Sequence, residues 1–176
     1  MEKEQFLRLM QRYVANIAIS GSTLRNQGAK GVAKKAREFL ANLNLETLKK
    51  INPLQYPEQL EKWTDELKEK LPKDAKKWGT ARKALNVFLV QTYLNRYLSA
   101  EYGLDGFEDV LETPLDKQAT SELQKLADRQ KLPRWDGIKK LTPDNSKRYQ
   151  EFAAGYARQQ GIPRARLDIM LWRVKE

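Results

Sequence analysis

The sequence of 176 residues contains no cysteine and no histidine. Without cysteine, the chain has no disulfide framework, no thiolate metal ligand and no cysteine nucleophile. Without histidine, it lacks the commonest general base and the commonest metal ligand, so we expect neither a metal nor a cofactor. Any chemistry must therefore come from carboxylates, lysines, hydroxyl groups or the backbone.

Long apolar runs are missing as well. No stretch approaches the roughly 18 uninterrupted apolar residues that a membrane-spanning helix needs. The first residues, MEKEQFLRLMQRY, are charged throughout and lack the apolar segment of a signal peptide. We therefore expect a cytoplasmic protein with no membrane partner.

Positive charge is present in excess. The chain has 33 Lys plus Arg against 23 Asp plus Glu, which gives a formal net charge of +10. Such a balance favours a polyanionic partner, with nucleic acid ahead of an acidic membrane surface. The length suits a single domain with its own core, so we expect residues 1–176 to form one domain.

The periodicity of apolar residues is helical nearly everywhere, and no alternating strand pattern stands out. The polar stretch 20–31, with three glycines, predicts a loop. The sequence thus predicts an all-α bundle of about seven helices. These are expected near residues 2–19, 31–43, 58–70, 80–101, 117–131, 143–160 and 163–173.

The stretch KKWGTARKALNVFLVQTY places basic residues where a helix begins, although a helix N-terminus favours acidic ones. The helix expected at 80–101 is apolar nearly all round, which is typical of a buried central helix. Lys83 begins one of its apolar faces, ahead of Val87. It is either a solvated first-turn lysine or an amine in a desolvated cleft. In a cleft, burial disfavours the charged form and leaves a nucleophile.

Two aspartates are further candidates. Asp116 comes directly before the helix expected at 117, in the position of an N-cap. An ionised carboxylate in that position can also stabilise a cation in a cleft. Asp168 and Trp172 are four residues apart and so share a helix face. They are either a salt-bridge partner and a core aromatic, or the carboxylate and aromatic plane of a base-reading pocket.

The segments ARKALNV, PLDKQAT and GIPRARLDIMLW, in this order, resemble the helix-hairpin-helix DNA glycosylase superfamily. They are most similar to its archaeal 8-oxoguanine DNA glycosylase branch, over roughly residues 78–173. The resemblance implies an all-α fold with two lobes and a central cleft that holds a flipped nucleotide. It also implies a monomer whose partner is double-stranded DNA with a modified base, and hence association with the nucleoid.

The resemblance implies roles for single residues. Lys83 matches the nucleophile that attacks C1′ and forms a Schiff base, and Asp116 matches the essential aspartate. Asp168 and Trp172 match the pair that reads the edge of the base and stacks on its face.

Further positions belong to the DNA and the base. The polar loop with Asn26 and Gln27 lies where the family has a base-contacting amide. Phosphates beside Lys83 would be held by a group of basic residues: Lys73, Lys76, Lys77 and Arg82.

Two departures from the family pattern affect the substrate and the DNA contact. The hairpin sequence L-P-G-V-G is replaced by LPKDAKKWG. The aromatic residue expected one turn after the lysine is Val87, and losing one wall of an aromatic sandwich suits a bulkier base. We therefore expect either an oxidised purine or a bulky phage-type modified cytosine, such as a glucosylated one.

Two other functions remain open. The chain could be a non-catalytic, basic all-α module that binds nucleic acid, with each lysine contacting only phosphate. It could also be a helical interaction protein whose charge keeps it soluble. A glycosylase requires Lys83 and Asp116 to lie within a few ångströms of each other, whereas the other two functions do not.

Overall fold

A computed structural model describes residues 1–27, 30–127 and 132–171, and this part of the chain contains helices and no strand. The all-α prediction is thereby confirmed. The eight α-helices are α1 (Lys3–Ala18), α2 (Val32–Ala41), α3 (Tyr56–Lys70), α4 (Trp78–Leu94), α5 (Arg96–Tyr102), α6 (Lys117–Leu126), α7 (Pro143–Gln159) and α8 (Arg164–Leu171). Short 3₁₀ turns lie at Leu45–Lys50, Pro53–Gln55, Lys73–Ala75, Leu104–Phe107 and Ile138–Lys140.

One predicted helix is two. The continuous helix expected at 80–101 is interrupted at Asn95, whose backbone is extended and whose side chain accepts a hydrogen bond from the backbone N–H of Leu98. Asparagine is a strong N-cap because its side chain replaces a missing helical acceptor. The chain therefore ends α4 at Leu94 and begins α5 at Arg96, which the apolar pattern alone did not reveal.

The central helix is α4, which contacts α1, α2, α3, α5 and the Ile138–Lys140 turn. Most of its residues are buried on all sides, in agreement with the apolar character predicted for it. Its position means that a polar residue on α4 is either buried with a partner or aimed into a cavity.

Two hydrophobic clusters make up the core. The first is built by α1 to α5 and the segment up to Leu111, with Ala165 of α8 added. The second is built by α6, α7 and α8 together with Leu115, Leu132 and Leu141. The chain passes from one cluster to the other between Leu111 and Leu115, directly before Asp116.

A glycine allows the second cluster to approach α4. A Cβ added to Gly79 would lie 2.2 Å from the backbone carbonyl oxygen of Ile138, which no side chain can accommodate. The absence of a side chain at Gly79 therefore lets the Ile138–Lys140 turn pack directly on the first turn of α4.

Polar side chains of α7 and α8 hold the connection between the clusters. Gln150 donates to the carbonyl oxygen of Thr113 at 2.7 Å and accepts from its N–H at 3.0 Å. Arg164 donates to the carbonyl oxygens of Val110 and Leu111. Because buried backbone groups must be paired, these contacts fix the path of the segment that delivers Asp116.

None of the helices in the described ranges combines the length and the apolar character needed to cross a membrane.

We predict that Gln150→Leu lowers the free energy of unfolding by roughly 2–4 kcal/mol, because it leaves the buried N–H and C=O of Thr113 without partners. Urea denaturation measures this change. The matched control is Gln159→Leu, an exposed position of the same helix, for which a change below about 0.5 kcal/mol is expected. Equal stability of the two variants would show that the Thr113 contacts do not hold the segment.

Candidate functional site

A cavity of about 900 Å³ lies between the end of α1, α4 and the start of α6. Its walls come from residues between Ile17 and Arg25, from Lys83, Val87 and Gln91 of α4, from residues between Pro114 and Gln118, and from Ile138, Asp168 and Ile169. We call this cavity the cleft. It receives residues from the elements that build both core clusters.

Lys83 lies at the wall of the cleft with only 8% of its side chain exposed. Its Nζ is 3.4 Å from Oδ2 of Asp116. Because α4 begins at Trp78, Lys83 belongs to the second helical turn and not to a solvated first turn. The structure therefore brings together the two residues that a glycosylase requires to converge.

The two carboxylate oxygens of Asp116 have different partners. Its Oδ1 accepts hydrogen bonds from the backbone N–H groups of Gln118 and Ala119, both at 2.9 Å. Its Oδ2 faces Lys83. The predicted N-cap is confirmed, and the cap fixes the orientation in which the second oxygen meets the amine.

Asp168 projects from α8 into the same cleft. Its Oδ1 is shielded from water and has no hydrogen-bond partner in the described part of the chain. Burial, reinforced by the nearby Asp116 carboxylate, raises the pKa of Asp168 to about 6, while Lys83 acts in the opposite direction. This carboxyl therefore gains and loses its proton near pH 6, and its Oδ1 has hydrogen-bonding capacity that no described protein group uses.

Val87 lines the cleft as predicted from its place one turn after Lys83. The predicted base-contacting amides do not line it. Gln27 is buried, accepts a hydrogen bond from the hydroxyl of Thr80 at 2.8 Å, and donates to the carbonyl oxygen of Arg25. Asn26 is exposed, with a left-handed backbone (φ 63°). Gln27 thus ties its loop to α4, and Trp172 lies outside the described residues.

The basic residues predicted to contact phosphate differ in exposure. Lys73 and Lys77 are exposed. Lys76 is also exposed, and its Nζ lies 2.9 Å from a carboxylate oxygen of Glu69. These three lysines follow α3 in the turn that leads into α4, where a phosphate could reach them.

Arg82 corrects the prediction of a phosphate contact, because it is buried. Its guanidinium pairs with Glu61, lies 3.7 Å from Glu112 and stacks over the ring of Trp78 at 4.6 Å. Glu112 also accepts a hydrogen bond from Asn86 at 2.8 Å. The residue directly before Lys83 thus anchors α4 to α3 and to the segment before Asp116.

Sequence reasoning missed several residues of the cleft. Arg25 and Lys117 contribute two exposed cations, and Ser20 and Ser22 contribute exposed hydroxyl groups. Lys117 follows Asp116 directly, and this adjacency was a usable signal. The other three lie in the polar loop, where neither periodicity nor a motif indicates which side chains point inward.

In the part of the chain that the structure describes, no group of three acidic residues is placed to hold a metal ion. Comparison with known proteins finds no family model that matches the chain, no matching curated protein and no matching solved structure.

We predict that Asp168→Asn stabilises the protein more at pH 7 than at pH 4. Near pH 4 the carboxyl of Asp168 is largely protonated in the folded chain, whereas above its folded pKa of about 6 a buried charge destabilises that state. The gain in the free energy of unfolding should therefore grow by about 2–3 kcal/mol between these pH values. Urea denaturation at pH 4 to 8 measures it.

The matched control is Asp74→Asn, which removes an exposed carboxyl that does not line the cleft. A stability difference for Asp168→Asn that does not change between pH 4 and pH 8 would mean that the carboxyl is not desolvated in the folded protein.

Proposed function

We propose that this chain is a DNA glycosylase that takes a modified base out of duplex DNA and releases it by attack at C1′. The observation that carries the proposal is the contact between the largely buried amine of Lys83 and the carboxylate of Asp116 in a cleft. A lysine that served only solubility or phosphate contact would be expected on the surface, whereas the Lys83 side chain is 8% exposed and lies beside a carboxylate.

Lys83 acts as the nucleophile in this proposal. The lone pair of Nζ attacks C1′, the bond from C1′ to the base nitrogen breaks, and its electron pair leaves with the base, which takes up a proton from the nitrogen of Lys83. The bond from C1′ to the ring oxygen O4′ then breaks, O4′ takes up the remaining amine proton, and an imine between Lys83 and the sugar is left. This intermediate makes subsequent strand cleavage chemically accessible, so lyase activity is part of the proposal.

Asp116 acts electrostatically. As the base departs, positive charge develops on the sugar, and a fixed carboxylate close to C1′ stabilises it. The hydrogen bonds from Gln118 and Ala119 hold Asp116 in place, so the carboxylate does not have to reorganise during the reaction.

The base is recognised in the same cleft. Asp168 offers an oxygen that has no protein partner in the described residues, which suits a hydrogen bond to the edge of a base. A cleft of about 900 Å³ with Val87 in its wall leaves room for more than an unmodified base. The substrate is either an oxidised purine or a bulky phage-type modified cytosine, such as a glucosylated one. These serve repair and defence against phage, respectively.

The net charge of +10 supports duplex DNA as the partner. In this proposal the protein acts as a monomer associated with the nucleoid. The alternative function is a non-catalytic nucleic-acid binding module, which the same charge favours. Incubation with duplexes that each carry one modified base, scored for abasic sites, separates the two, because only a glycosylase generates them.

We predict that borohydride traps a covalent adduct between the protein and the correct duplex, and that Lys83→Gln abolishes it. The adduct is measured by denaturing gel electrophoresis with labelled DNA. The control is Lys73→Gln, which removes an exposed lysine and should leave trapping intact. Base release that persists undiminished in Lys83→Gln would remove Lys83 from the mechanism.

We predict that Asp116→Asn folds and binds duplex DNA but releases the base at least about a hundredfold more slowly. Asparagine keeps an N-cap oxygen for α6, whereas loss of a cap would cost roughly 0.5–2 kcal/mol. Circular dichroism, DNA binding and single-turnover base release test the three parts. Normal turnover by this variant would reduce Asp116 to a structural cap.

A further inference from the structure

Two cations lie on different walls of the cleft. Arg25 belongs to the segment after α1, and Lys117 is the first residue of α6. Both side chains are exposed, and no salt bridge to either is found in the described ranges. Some exposed lysines have carboxylate partners, such as Lys62 with Glu58 and Lys125 with Glu122, whereas others, such as Lys50, do not line the cleft. Arg25 and Lys117 therefore keep their charge available to a ligand.

The acidic and basic side chains of the cleft differ in exposure. Among the described residues that line it, only Asp116 and Asp168 are acidic, and both are less exposed than the two cations. Asp116 is already paired with Lys83. The outer part of the cleft, formed by Arg25 and Lys117, is thus positively charged. We call these two residues the cationic rim.

The position of Lys117 is unfavourable for its own helix. A helix N-terminus carries partial positive charge, and a cation there costs about 0.3–1 kcal/mol. The N-cap carboxylate of Asp116 offsets part of this cost, and the first turn of α6 has no further acidic residue. An anion bound at the cleft would offset the rest.

Neutral donors accompany Arg25. The hydroxyl groups of Ser20 and Ser22 lie 3.3 Å apart at the same wall, and both side chains are exposed. Serine hydroxyls beside an arginine are common contacts of phosphate oxygens in complexes with DNA. The wall around Arg25 thus combines charge with hydrogen-bond donors.

We infer that the cationic rim binds the two phosphodiester groups on either side of the nucleotide in the cleft, with Ser20 and Ser22 assisting Arg25. The identity of that nucleotide rests on the proposed function, but the ligand of the rim is the DNA backbone itself. Holding both phosphates fixes the sugar between them and so sets C1′ against the amine of Lys83.

The test is duplex binding at several salt concentrations, measured by fluorescence anisotropy. The probes are an unmodified duplex and one with a stable abasic-site analogue, so that no catalysis is needed. Arg25→Gln and Lys117→Gln should each weaken binding roughly three- to tenfold and lower the slope of log K against log salt by about 0.9. The double variant should lower the slope by about 1.8.

Two controls separate the rim from charge in general. Lys50→Gln removes an exposed lysine that does not line the cleft and should change the slope far less. Lys117→Arg keeps the charge and should restore binding.

Each outcome has one meaning. Slopes that are equal for the rim variants, Lys50→Gln and the unmodified sequence would overturn the rim while leaving the proposed glycosylase untouched. No binding to either duplex at any salt concentration would overturn both. Rim-dependent binding without base release from any modified duplex would support the rim and contradict the glycosylase.

Discussion

The contact between Lys83 and Asp116 depends on a carboxylate whose two oxygens both have partners. One oxygen closes the N-terminus of α6, and the other meets the amine. Because α4 belongs to the first core cluster and α6 to the second, this contact also depends on how the two clusters are positioned relative to each other. The distance between amine and carboxylate thus depends on how α6 sits against α4, whereas the cap lies within the N-terminus of α6 itself.

The side of α4 away from the cleft supplies the required rigidity. Arg82 and Lys83 are adjacent, yet Arg82 turns to Glu61 and Glu112 while Lys83 turns to Asp116. Several polar atoms there, including Nη1 of Arg82 and the hydroxyl groups of Tyr56 and Ser146, have no hydrogen-bond partner in the described part of the chain. Their residues line another cavity, of about 370 Å³, where ordered water has room to bind these polar atoms.

The sequence was informative where the physics is local. Helical periodicity predicted most of the helices, and the position of Asp116 before α6 predicted its cap, because both depend on residues a few positions apart. Asn95 carried a local signal as well, but the apolar run around it masked the break. The Lys83–Asp116 contact was expected only through the resemblance, since nothing in the composition brings these residues together.

Other features of the site could not be predicted because their causes lie far along the chain. Arginine is usually a surface residue. Arg82 can be buried because Glu61 and Glu112, which are 21 and 30 positions away in the sequence, lie next to it in the fold. The side-chain oxygen of Gln27 already accepts a hydrogen bond from Thr80, which is 53 positions away in the sequence. A polar side chain is available to a ligand only after such partners have been counted, and counting them requires the fold.

The order of the two core clusters along the chain has a consequence for synthesis. In the described residues, the first cluster is complete by Leu111 except for Ala165, whereas Asp116, Lys117 and Asp168 all come later. Domains assemble from the N-terminal side while a ribosome adds about 5–20 residues per second. The segments of the first cluster up to Leu111, including the helix that carries Lys83, therefore leave the ribosome before Asp116 and well before Asp168.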